Sequence, residues 1–170
     1  DHIYKMDYAD MLDWHSSRQA DITIATTQLP RSQSDHFGIV TISRDCQVTG
    51  FQEKPRPENA APSSFNSGMV SASMGVYLFR TSVLVRALLE DAADPNSCHD
   101  FGKDILPKWL SRARVIAYDF RDLNNKGVSY WRDVGTLDAY YEANMDLVAV
   151  TPEFNLYDRT WPIRTRQLQN

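Results

Sequence analysis

Tyr130-Trp131-Arg132-Asp133-Val134-Gly135-Thr136 joins a strand to a helix through an acid. Tyr130 and Trp131 end an apolar extended run, Gly135 allows a tight bend, and Thr136 is a good N-cap for the helix that follows. An aspartate at the carboxyl end of a strand stands where open α/β sheets bind their ligands. Taken alone, Asp133 reads first as a cap on the turn. Its companions elsewhere in the chain make it a candidate site residue.

Outward from this turn the chain alternates strand and helix patterns. The helix over residues 137–150 places Leu137, Tyr141, Met145 and Val148 on one face. Upstream, residues 128–131 and 115–120 read as strands, separated by the polar turn Asn124-Asn125-Lys126-Gly127. Residues 1–4 look like the end of a strand, and Asp7 caps a helix reaching about Gln19, with Asp10 in its first turn. Residues 21–29 alternate Ile22 and Ile24 with polar neighbours, as a strand does. Residues 37–43 and 47–53 form a hairpin about Arg44-Asp45, an antiparallel element. A proline-rich loop spans residues 55–70, and the most apolar strand covers 71–80. Thr81 caps a helix bearing Val83, Leu84, Ala87 and Leu88, and another helix begins near Asp100 with Ile105, Leu106, Trp109 and Leu110. Strands alternating with helices around an antiparallel insert predict an α/β fold with a mixed sheet.

Composition bounds the partners. A chain of 170 residues fits one domain, and its net charge of −4 argues against a broad nucleic-acid surface, though not against small phosphorylated molecules. No apolar run reaches membrane length, so no membrane partner is expected. Cys46 and Cys98 make no metal-ligand spacing with each other or with His2, His15, His36 and His99, and two isolated thiols suit a reducing cytoplasm. The chain opens on Asp1 without an initiator Met, as a piece of something longer does. The stretch from Arg164 to Asn170 reads as a linker.

Four further segments carry candidate chemistry. Asp1 opens Asp1-His2-Ile3-Tyr4-Lys5-Met6, and with Asp133 it offers two carboxylates for an oxygen-loving cation such as Mg²⁺, with substrate phosphates completing the shell. Phe51-Gln52-Glu53-Lys54-Pro55 ends a strand with an acid, a base and a proline. Pro55 stops the ladder and steers Glu53 toward extended geometry, so that Glu53 can accept from sugar hydroxyls and Lys54 can meet a phosphate. A solvated Glu-Lys pair is the plainer alternative. In Ser73-Met74-Gly75-Val76-Tyr77, a glycine inside a strand signals close approach by a ligand or backbone, and Ser73 and Tyr77 share a side. Asp100 reads as a helix cap, and Gly102, so near a helix start, costs stability unless close approach requires it. His99 and His2 read as ordinary hydrogen-bonding side chains rather than general bases.

In this order, the segments resemble the bacterial ADP-glucose pyrophosphorylases, or glucose-1-phosphate adenylyltransferases. The resemblance is carried by Asp1-His2-Ile3-Tyr4-Lys5-Met6-Asp7-Tyr8, Phe51-Gln52-Glu53-Lys54-Pro55, Ser73-Met74-Gly75-Val76-Tyr77 and His99-Asp100-Phe101-Gly102-Lys103-Asp104-Ile105. Tyr130-Trp131-Arg132-Asp133-Val134-Gly135-Thr136 and Tyr157-Asp158-Arg159-Thr160-Trp161-Pro162-Ile163 complete it, so that it runs from Asp1 to about Arg164.

The resemblance implies a Rossmann-like nucleotidyltransferase domain with a mixed, mostly parallel sheet, incomplete in this chain. Residues 1–150 would be the C-terminal part of that catalytic domain, and 151–170 a linker towards a β-helix domain. The implied reaction joins ATP and glucose 1-phosphate to give ADP-glucose and pyrophosphate for glycogen synthesis, in a cytoplasmic, allosteric homotetramer. By matching positions, Asp1 and Asp133 would hold Mg²⁺, and Lys54 the sugar phosphate. Glu53, Ser73, Tyr77, Asp100, Phe101 and Trp131 would surround the glucose. Asp1, Lys54 and Asp133 form the expected catalytic set. The family's Gly-rich, Arg-containing nucleotide loop falls upstream of Asp1, so residues 1–170 are expected to be inactive alone. Cys98 stands where the family often has Ser. A non-catalytic sugar-phosphate-binding regulatory subunit, and an enzyme using UTP or dTTP, are the alternative readings.

Overall fold

The computed structural model describes residues 2–64, 66–120, 129–157, 159 and 161–163. They belong to two compact units, one of Tyr8–Phe120 and one combining Asp1–Asp7 with Arg121–Asn170.

The larger unit is built on a five-stranded sheet of β2 (Ile22–Pro30), β3 (Gly38–Ile42), β4 (Val48–Glu53), β5 (Met69–Phe79) and β6 (Val115–Asp119), in the order β4-β3-β5-β2-β6. The mixed α/β class expected from the sequence is present. Of the mostly parallel sheet that the resemblance implies, incomplete in this chain, the described pairs are one parallel, β2–β6, and the rest antiparallel. The β3–β4 hairpin forces one antiparallel pair, and β5 enters antiparallel to both β2 and β3.

Period-two alternation places the core. Ile22, Ile24, Val40, Ile42, Val48, Val115 and Ala117 turn one face of the sheet onto Ala87 of α2 (Thr81–Ala92) and Trp109 of α3 (Leu106–Trp109), where Ile105 and Leu106 join them. Each such aliphatic side chain contributes roughly 1.5–3 kcal/mol on burial. Thr23, one residue out of phase, bonds through Oγ1 to His15 Nδ1 on α1 (Tyr8–Ser17) at 2.8 Å, and Trp14 Nε1 donates to the Ala117 carbonyl at 3.1 Å. Ile39, Ala60, Val70 and Ala72 form a second cluster beside Leu29 and Phe37. Part of the proline-rich loop thus serves as packing, through Ala60.

Thr81 does not cap α2: Arg80 is the cap residue and makes no side-chain cap bond. Asp100 does cap its helix, which opens with a π-helical turn over Phe101–Ile105 and continues as α3.

In the smaller unit, β1 (His2–Tyr4) pairs antiparallel with β7 (Trp131–Asp133), with His2 opposite Asp133 and Tyr4 opposite Trp131. Thr136 caps α4 (Leu137–Leu147) as expected, its hydroxyl accepting from the Ala139 amide at 3.2 Å. Arg132 ties β7 to this helix through Asp146 at 2.9 Å and Glu142 at 3.3 Å, and the Tyr130 hydroxyl donates to Asp146 at 2.9 Å. Burial and that bond push the Tyr130 phenol up to about 12. The apolar stripe expected on α4 exists but faces outward, Leu137 being 86% and Tyr141 63% exposed, while Ala143 is the buried position. The Asn124–Gly127 turn, the strand start at Val128 and the 164–170 segment lie outside the described residues.

Candidate functional site

Of the sugar-side residues expected from the sequence, Glu53, Ser73, Tyr77, Asp100 and Phe101 come together in the larger unit, while Trp131 belongs to the smaller one. Glu53 is the last residue of β4, opposite Gly38 of β3. Two glycines make room around it. A Cβ on Gly38 would stand 2.5 Å from Cζ of Phe51 and 3.3 Å from Oε2 of Glu53. A Cβ on Gly102 would stand 2.6 Å from Oε2 of Glu53 and 3.2 Å from Cε1 of Phe51. The close approach inferred at Gly102 is therefore real, and the approaching group is the Glu53 carboxylate.

Asp100 is fixed by the backbone it caps. Its Oδ1 accepts from the Gly102 amide at 2.8 Å and the Lys103 amide at 3.0 Å. Asp104 reciprocates, its Oδ2 accepting from the Asp100 amide at 3.1 Å and the Cys98 amide at 3.2 Å. The next residue, Phe101, stacks on Tyr77 with ring centroids 5.8 Å apart and 29° between planes.

Ser73 and Tyr77 share a side, as their spacing predicts, with Ser73 Oγ 3.3 Å from the Tyr77 hydroxyl. The glycine between them has a different reason from the one expected. Gly75 has φ of 71°, the left-handed region that glycine enters without cost, and the β2–β5 register shifts there, from Ile24 opposite Tyr77 to Thr26 opposite Ser73. Gly75 makes a bulge, which brings the two hydroxyls together. The Gly75 amide also donates to Ser73 Oγ at 3.2 Å.

Electrostatics couple the members of the cluster. Burial first, then the negative charge of Asp100, push the Glu53 carboxyl up, against the pull of Lys54 and Lys103. Burial also pushes the Tyr77 phenol up, with the Ser73 bond opposing and the charges of Glu53 and Asp100 adding to it. Two carboxylates and two hydroxyls beside an aromatic stack can accept and donate to several hydroxyls of a polyol.

Lys54 is exposed and follows Glu53 directly, with a left-handed φ of 47° and its amide donating to the Phe37 carbonyl at 3.1 Å. Glu53 keeps extended strand geometry, as expected, and the unusual backbone falls instead on the residue before Pro55. A non-glycine residue at such a φ costs on the order of 1–3 kcal/mol and clusters at functional positions.

Trp131 and Asp133 lie on one side of β7 in the smaller unit, with His2 facing both. His2 packs edge-on to Trp131 at 5.3 Å, and its Nε2 lies 3.9 Å from Asp133 Oδ1. Burial lowers the His2 pKa, and Asp133 opposes that shift without overcoming it. Gly135 needs no left-handed backbone, and an added Cβ there would stand 3.5 Å from both Asp133 oxygens, an ordinary contact. Asp133, its side chain 37% exposed, is one hard oxygen donor partly open to solvent. No group of three or more His, Cys, Asp or Glu suited to a metal occurs among the described residues. Such a donor fits Mg²⁺, which is commonly held by one or two carboxylates with substrate phosphates, and does not fit a protein-only cage. Asp1 lies outside the described residues, while its chain neighbour His2 is paired with Asp133.

Sequence reasoning missed Phe51, Gly38 and Asp104. Gly38 carried a signal, being a glycine at a strand start, whereas Phe51 read only as part of its strand.

No helix among the described residues is long and apolar enough to cross a membrane. Residues 1–149 match the family model described as nucleotidyl transferase. The chain is 52% identical over 169 residues to a glucose-1-phosphate adenylyltransferase of Koribacter versatilis, covering 99% of this chain and 40% of that protein. Proteins of the same name from Rhodopirellula baltica and Nitrosospira multiformis are 47% and 48% identical, again over 99% of this chain and over 37% and 40% of theirs. The chain thus spans about 40% of the length of its first relative. With an α/β sheet, a polyol-suited cluster and a match along nearly all of its described elements, the chain belongs to the nucleotidyl transferase family.

Proposed function

We propose that the protein containing this chain transfers an adenylyl group from ATP to glucose 1-phosphate, giving ADP-glucose and pyrophosphate for glycogen synthesis. The observation that carries this reading is the meeting of Glu53, Ser73, Tyr77, Asp100 and Phe101 in one cluster, beside Lys54. The names of the relatives support the substrate pair.

In this reading Glu53, Asp100, Ser73 and Tyr77 hold the glucose hydroxyls, Phe101 and Trp131 supply apolar faces, and Lys54 meets the phosphate. A phosphate monoester is anionic at neutral pH, so its oxygen attacks the α-phosphorus of ATP without a strong base, and pyrophosphate leaves in line. The obstacle is repulsion between two anions. The Lys54 ammonium offsets part of it as a point charge. Asp133, with Asp1, would hold Mg²⁺, which supplies charge neutralisation at the phosphates when bound.

Residues 1–150 are the C-terminal part of the catalytic domain and 151–170 a linker towards a β-helix domain, so residues 1–170 do not turn over alone. The full-length protein is a cytoplasmic homotetramer under allosteric control, with neither nucleic acid nor membrane as partner. The test is an assay of the full-length protein with glucose 1-phosphate, Mg²⁺ and each nucleoside triphosphate in turn. ADP-glucose and pyrophosphate formed from ATP support the proposal. Turnover with UTP or dTTP alone, or binding without turnover, overturns it.

A further inference from the structure

Asp91, on the last turn of α2, is a buried carboxylate that the reading above does not use; its side chain is 7% exposed. Its two oxygens are both engaged, and both partners lie in the segment leading to Asp100. Oδ1 accepts from the Ser97 hydroxyl at 2.5 Å. Oδ2 accepts from Nδ1 of His99 at 2.8 Å. Ser97 Oγ in turn accepts from the His99 backbone amide at 3.0 Å. Two of these three bonds end on His99 and the third anchors the Ser97 hydroxyl that its amide meets; His99 has a left-handed φ of 60°.

Such a conformation is uncommon for a residue other than glycine and is held here by its surroundings. It matters because of what comes next. From His99 the chain turns to extended geometry at Asp100, with φ of −105° and ψ of 131°, which lets the Asp100 carboxylate fold back over the Gly102 and Lys103 amides. The following Phe101 ring is thereby delivered onto Tyr77. The bonds from Ser97 and His99 hold the Asp91 carboxyl below the usual range, so it stays an anion able to accept both.

We propose that Asp91 is a positioning residue for the sugar-phosphate site: by clamping Ser97 and His99, it fixes the backbone that presents Asp100 and Phe101. This rests on the assignment of Asp100 and Phe101 to that site. Asp91 itself touches no substrate.

The test uses full-length protein carrying Asp91→Asn, with Ser97→Ala as a second variant that opens one arm of the clamp and leaves Asp91 intact. Two readouts are taken. Hydrogen exchange of the peptide containing Gly102 and Lys103 reports whether Asp100 still caps them, and a β2 peptide serves as the internal control. Steady-state kinetics report KM for glucose 1-phosphate and for ATP. Both variants are expected to exchange faster at Gly102 and Lys103, with β2 unchanged and Tm lower by only a few degrees. KM for glucose 1-phosphate should rise about tenfold, the order of one charge-assisted hydrogen bond, with KM for ATP unmoved. Unchanged exchange at Gly102 and Lys103 overturns the clamp. Faster exchange with an unchanged KM for glucose 1-phosphate, or a collapse of Tm with both KM values raised alike, overturns its role at the site. A Glu53→Gln control separates the two ideas: if it too leaves that KM unchanged, the sugar-phosphate assignment has failed, while the exchange result still decides the clamp.

Discussion

Replacing Gly102 with Ala separates the site from the fold. The added Cβ would lie 2.6 Å from Glu53 Oε2, where ordinary contact begins at 3.4 Å, so the carboxylate must withdraw by about 0.8 Å. Cε1 of Phe51 at 3.2 Å and Oδ1 of Asp100 at 3.3 Å need give only by tenths of an ångström. Overpacking typically costs about 1–3 kcal/mol, but here the main obstacle is the far end of a flexible side chain, which places the cost at the low end. Alanine also gains up to about 1 kcal/mol over glycine inside a helix. The terms nearly cancel, so Tm should move by only a few degrees. Binding has no such compensation. Displacement of a catalytic-site group by close to 1 Å can cost on the order of 100-fold, and a tenfold to hundredfold loss of glucose 1-phosphate affinity is expected. Calorimetric titration of the full-length variant, beside a thermal melt, reads both. Unchanged affinity would refute the placement of Glu53 against the sugar, and a collapse of Tm would show that the carboxylate is structural.

Glu53→Gln should be more stable than wild type at pH 7, because a carboxyl with a raised folded pKa stabilises below its ordinary 4.5 and loses that contribution as pH rises through the folded value. Thermal melts should show the difference closing below pH 4.5, and a variant less stable at neutral pH would contradict the burial argument. Asp100→Ala should cost about 0.5–2 kcal/mol in denaturant unfolding, since it strips the cap from the Gly102 and Lys103 amides. No loss of stability would mean those amides find other acceptors. Lys54→Ala should raise KM for glucose 1-phosphate about tenfold, the lower end for a charge-assisted contact at an exposed side chain, and leave Tm unchanged.

Local chemistry was legible in the sequence where a residue's own neighbours decide it. Thr136 as a cap, Asp100 as a cap and Gly102 as a close-approach glycine could each be read from a few adjacent residues. Ser73 and Tyr77 were paired correctly by period-two spacing, although it is the Gly75 bulge that closes the distance between their hydroxyls. Long-range packing was not legible. Nothing local to Phe51 shows that its ring lies between Gly38 and Gly102, and Asp91 gives no hint that His99 will turn back onto it. The resemblance describes a whole sheet, whereas the strands described here are dominated by the β3–β4 hairpin and the antiparallel β5. On α4, periodicity identified the apolar stripe of Leu137, Tyr141, Met145 and Val148, but amphipathicity says only that a stripe exists, not that it is covered.

The most direct measurement is a crystal structure of the full-length protein with glucose 1-phosphate bound. The account predicts hexose hydroxyls within hydrogen-bond distance of Glu53 and Asp100, the ring beside Phe101, and the phosphate at Lys54 Nζ. A sugar phosphate seated away from the β4 end and the Asp100 cap, with Glu53 still packed on Gly102 and touching no ligand, would contradict it.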